Sequence, residues 1–128
     1  MPSVRSSILT LAVASIFGAS AHAHHAFSAQ YDAKKVIKLQ GVVSKVEWTN
    51  PHIHVYLDVK DDGGKIVTWA LEGFPPRALT RLGWTRNLVK PGDPLTVRAF
   101  ASKDGSMRAN MKELALPDGR TIAVGAVE

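Results

Sequence analysis

The sequence predicts a mainly β fold, a small OB-like barrel of five to six strands with one short helix between strands 3 and 4. Three observations predict it. Apolar and polar residues alternate with period two along most of the chain after Tyr31. Tight-turn sequences separate those runs at short intervals. One segment led by two prolines switches to helical spacing partway along.

Taken in order, residues 36–48 (VIKLQGVVSKVEW) form a long alternating run, with Gly41 inside it as the expected place of a bulge. Asn50 and Pro51 mark a turn, and residues 52–59 (HIHVYLDV) resume the alternation. The sequence DDGG at 61–64 is a hairpin turn, and residues 65–71 (KIVTWAL) return from it. Pro75 and Pro76 suit a first helical turn, Ala78, Leu79 and Leu82 repeat at helical spacing, and Gly83 fits a C-terminal stop. The turn KPGD at 90–93 leads into PLTVRAFA, KDGS at 103–106 turns again, and MRANMKELAL with PDGRTIAV supplies one or two last strands.

The start of the chain differs in kind. Arg5 supplies a positive charge, residues 8–17 are apolar, and small residues follow, the pattern of a secretory signal peptide. The apolar stretch falls short of the roughly 20 residues that a membrane-spanning helix requires. Cleavage after AHA would make His24 the first residue, and cleavage after ASA would make it His22; the first is preferred. The expected organisation is a signal peptide over 1–23, a histidine-containing N-terminal tail over 24–35, and an OB-like domain over 36–128. The expected location is periplasmic or secreted, with no stable membrane insertion after cleavage.

Cysteine is absent, so neither disulfides nor thiolate ligands are available. The net charge is +5, and one unit of it leaves with Arg5. Lys and Arg are scattered, not clustered, which together with export argues against nucleic acid as a partner.

Five histidines in two clusters are the residues most suited to chemistry, because neutral imidazole is the commonest protein metal ligand. Signal cleavage adds an α-amino group, pKa about 8, that binds a metal once deprotonated. With His24 leading, its amine and imidazole can chelate one ion, and His25 or a distant histidine can complete a set of nitrogens. Such a set favours Cu(II), with zinc second because of its tetrahedral preference. In the second cluster, strand alternation puts His52, His54, Tyr56 and Asp58 on one face and Ile53, Val55, Leu57 and Val59 on the other. The apolar set must face the core. His52 and His54 then look outward, roughly 7 Å apart at strand spacing, and join a metal site if the tail crosses that face. Phe27 and Tyr31 could dock the tail on the barrel and hold its histidines in place.

Other constellations are weaker. Trp48, Trp69 and Trp84 with Met107 and Met111 could hold Cu(I), but core filling is the expectation for them. Glu47, Asp58, Glu72 and Asp93 show no spacing that pairs them for acid–base work. No nucleophile elbow or phosphate loop occurs.

The segments HHAFSAQYD, LQGVVSKVEWTNPH and DGRTI resemble small secreted bacterial proteins grouped as domain-of-unknown-function family 6152, and the likeness runs through nearly all of the mature chain. The resemblance implies no established activity, and it implies an aromatic residue as a common occupant of position 54. The expected function is therefore that of a non-enzymatic periplasmic or secreted protein binding copper, or zinc, through His24, His25, His52 and His54. The alternative is a structural or interaction module that presents Trp48, Tyr56 and the outward strand face to a periplasmic partner protein or an oligosaccharide.

Overall fold

The computed structural model describes residues 26–125. The expected signal peptide, His24 and His25 lie outside the described residues. A helical segment at 26–30 (α1) leads directly into β1 (Tyr31–Glu47). There follow β2 (His54–Lys60), β3 (Ile66–Glu72), α2 (Pro76–Arg81), β4 (Pro94–Ser102), β5 (Arg108–Ala115) and β6 (Thr121–Ala123). The sheet order is β3-β2-β1-β4-β5-β6 with antiparallel neighbours. A parallel pairing from Ala70↔Arg108 to Glu72↔Asn110 joins β3 to β5 and closes five strands into a ring. The fold is thus mainly β with one short helix between β3 and β4, as the sequence predicts.

The hairpin turn at 61–64 forms for a local reason: the Asp61 carboxylate accepts the backbone N–H groups of Gly63 and Lys65. Helix α2 starts on Pro76, whose missing N–H costs nothing in a first turn, and stops at Gly83, which takes φ +90°.

Three expectations are corrected. First, β1 begins at Tyr31 and not at Val36, so residues 31–35 of the expected tail belong to the strand. Tyr31 is buried and pairs with Ser102, and a register irregularity between Tyr31 and Val36 absorbs the exposed Lys34 and Lys35. Second, the irregularity between β1 and β2 lies between Val43 and Lys45, which makes Ser44 the extra residue in place of Gly41. Gly41 serves close approach instead, since a Cβ there would stand 2.2 Å from the Asp58 carbonyl oxygen. Third, β2 begins at His54, leaving His52 before the strand.

The core lies inside the ring. Val55 and Leu57 are fully buried, as the alternation of β2 requires, and so is Ile53 just before the strand; they join Leu71, Val97 and Met111 in one core cluster. Each such side chain stabilises the fold by roughly 1.5–3 kcal/mol. Trp84 is also fully buried, and Trp48 packs against it with ring centroids 6.0 Å apart. Trp48 and Trp69 are partly buried against the core. The two methionines separate: Met111 is a core residue, whereas Met107 is 47% exposed.

Candidate functional site

Polar side chains converge at the end of the ring at which α1 meets the exit of β3. Phe27 of α1 stands edge-on to Phe100 of β4, centroids 5.4 Å apart at 87°, and lies 5.6 Å from the Tyr31 ring. Such edge-to-face pairs add about 0.5–1.5 kcal/mol beyond simple burial, so the segment is held on the sheet. Tyr31 then points its hydroxyl at the last residue of β3 and donates to Glu72 Oε2 at 2.5 Å. Burial first, and the Glu72 carboxylate second, push the Tyr31 phenol well above its ordinary range, which keeps it a donor.

Beyond β3 the backbone doubles as a bracket. Gly73 N–H donates to the Ile53 carbonyl and Ile53 N–H to that of Phe74, fixing residues 73–74 beside the entry to β2. Phe74 N–H donates to the Val124 carbonyl at 2.7 Å, which draws the chain after β6 to the same place. Gly125 is required there, because a Cβ would fall 1.5 Å from the Met111 carbonyl oxygen.

These contacts shape a cleft of about 350 Å³. Its walls are Ala26, Phe27, Tyr31, Phe74 and Pro75, and its polar members include His52, Glu72 and Asn110. The His52 Nδ1 lies 2.9 Å from the Gly73 carbonyl oxygen and 3.7 Å from Glu72 Oε1. A carbonyl oxygen only accepts, so Nδ1 is the donor in this contact and Nε2 is the ring nitrogen it does not engage. With its side chain 43% exposed, that ring is open to a ligand.

His54 has other surroundings. As the first residue of β2 it stands opposite Glu47 on β1 and Glu72 on β3, and it is partly buried. Glu47 accepts from Lys45 Nζ at 2.5 Å and from the Tyr56 hydroxyl at 3.2 Å, and the Lys45 bond leads the effects that hold its carboxyl below the usual range. His54 is not among the residues lining the cleft.

Of the histidines expected to act together, the structure places His52 on the cleft and His54 in the neighbouring ladder, while His24 and His25 lie outside the described residues. Among the described residues no group of three or more His, Cys, Asp or Glu side chains is arranged to hold a metal ion. Glu72, which the sequence leaves without a partner, finds one in Tyr31, 41 positions earlier. No local spacing carries that pairing. The sequence signal available was the apolar–aromatic pair Phe27 and Tyr31, which dock as their composition suggests.

Among the described residues no helix is long and apolar enough to cross a membrane. No curated protein and no solved structure matches the chain. A match does extend over residues 12–112, a span that takes in His24, His25, His52 and His54, and by it the chain belongs to the family of unknown function DUF6152.

Proposed function

We propose that this chain is an exported, non-enzymatic copper-binding domain whose site is assembled from His24, His25 and His52, with His54 in reserve as a further nitrogen donor. The observation that carries the reading is that Ala26 and His52 line one cleft. Ala26 is bonded to His25, so the segment that carries the two leading histidines is covalently attached to a residue of the cleft that His52 lines. Metal-binding histidines commonly donate their second ring N–H to a carbonyl or carboxylate, and His52 does so to Gly73 with Glu72 close by. The free Nε2 is then the donor.

A signal peptide over 1–23, cut after Ala23, supplies the α-amine of His24 and the periplasmic or secreted location. An amine with two or three imidazoles suits the tetragonal preference of Cu(II). Zinc is the second choice, because its tetrahedral sites draw on four fixed side chains.

The test is mass spectrometry of the exported protein to identify its first residue, followed by copper titration of the wild type, His24→Ala and His52→Ala. A chain beginning at His24, binding copper below micromolar and losing that affinity in either variant, supports the proposal. A chain beginning beyond His25, or equally weak binding by all three proteins, ends it. The outward strand face with Trp48 and Tyr56 would then be the surface to probe for a partner.

A further inference from the structure

The cleft between α1 and the exit of β3 has a chemistry of its own. Its volume, about 350 Å³, lies within the range of small-molecule sites. Phe27, Tyr31 and Phe74 give it aromatic walls, and Ala26 and Pro75 add apolar surface. Into this setting β3 delivers one carboxylate, Glu72, with a side chain 18% exposed. Among the described residues that line it there is no Lys or Arg.

Among the described residues, Glu72 has His52 as its ion-pair partner, at 3.7 Å and only when that ring is protonated, and no Lys or Arg within salt-bridge distance. A carboxylate offers about four acceptor positions. Tyr31 fills one, and it does so as a neutral donor because its phenol is held protonated. The His52 N–H is committed to the Gly73 carbonyl and stands 3.7 Å from Glu72 Oε1, outside hydrogen-bond range. A partly buried anion with open acceptor positions is stabilised most by a cation that brings its own hydrogen-bond donors. An aromatic wall favours the same sign of charge wherever a ring turns its face to the ligand, since the face presents negative potential. An anion or a neutral polar ligand gains from neither.

We propose that this cleft binds a small organic cation, a primary ammonium group carried on an apolar body of one ring or comparable size. The ammonium sits at Glu72, and the apolar body lies between Phe27 and Phe74. This goes beyond the copper reading and does not require it: the ligand is held by a carboxylate and aromatic rings, while copper is held by nitrogen atoms.

The probe is 2-phenylethylammonium, added at pH 7 to EDTA-treated protein and followed through backbone amide shifts in two-dimensional NMR. Shifts centred on Glu72, Gly73 and Phe74 are expected, with saturation in the millimolar range or below. The neutral isostere 2-phenylethanol should bind at least tenfold more weakly, and 3-phenylpropanoate not at all. Glu72→Gln keeps an acceptor for Tyr31 but removes the charge, and should weaken the ammonium at least tenfold. Equal binding of amine and alcohol, shifts elsewhere on the protein, or a Glu72→Gln variant that folds and binds as well as the wild type would each overturn the proposal. The ranking of the three probes is read on the wild type, so it decides even if the variant does not fold. Metal-free protein keeps the outcome separate from the copper titration.

Discussion

His52 and His54 are two residues apart and would share one face of an unbroken strand, yet they stand in different surroundings. His54 lies inside a ladder, flanked across the sheet by Glu47 and Glu72. His52 lies before the ladder starts, and its ring is fixed by the Gly73 carbonyl at the edge of a cleft. The difference teaches where period-two reasoning stops. Alternation dictates a side chain's direction only while its backbone is paired. Ile53, whose backbone bonds to Gly73 and Phe74, still follows the alternation; at His52, one residue earlier, the ring is fixed by the Gly73 carbonyl.

Substitutions can break or sharpen this contrast. The largest effect is expected on the wall of the cleft at Gly125, where an alanine would force its Cβ into the backbone of β5. Gly125→Ala should cost about 3 kcal/mol, at the upper end for overpacking, and a urea denaturation curve would show it. A stability equal to the wild type would mean that the C-terminal segment does not close the cleft.

Next come the histidines themselves. His52→Ala should weaken copper binding by more than about 100-fold, above the loss typical of an outer-shell partner, whereas His54→Ala should change it by less than about threefold. Titration with a competing chelator measures both. Equal losses would erase the distinction between the cleft and the ladder.

Tyr31→Phe removes a hydrogen bond to a carboxylate and should cost about 1.5 kcal/mol at neutral pH. The phenol's folded-state pKa is raised, so its contribution is complete below the unfolded value of about 10 and is lost as the pH climbs beyond it. Denaturation midpoints of wild type and variant should therefore converge above about pH 10. A gap that stays constant into that range would place the Tyr31 hydroxyl in water.

The smallest effect belongs to the outer ladder. Thr68 donates to Asp58 across exposed strands, and Thr68→Ala should shift stability by no more than about 0.5 kcal/mol by the same denaturation measurement.

Much of the fold was legible because it rests on local periodicity. The apolar positions of β2 read directly as core, the DDGG turn joined two strands, and the paired prolines with Gly83 bounded the helix between β3 and β4. The first half of β1 was harder to read, since Lys34 and Lys35 interrupt the alternation and only pairing with the distant Ser102 reveals Tyr31 as strand. The cleft shows the same limit more sharply. Glu72 meets Tyr31, and Gly73 meets His52, through the closure of the ring, and such long-range pairings leave no spacing in a sequence to find. Phe27 was the exception, because an aromatic residue in an otherwise polar segment must find an apolar surface.

The ladder of β1 has a consequence for how the chain reaches its native state. Residues 42–47 pair with β2, which follows close behind, but residues 36–42 wait for β4, with Ile37 opposite Ala99. Non-local pairing of this kind is slow. Until the later strand arrives, this part of the longest strand is a bare template for a neighbouring molecule, and the exposed Lys38 within it and Lys34 and Lys35 just before it act as electrostatic guards against that encounter.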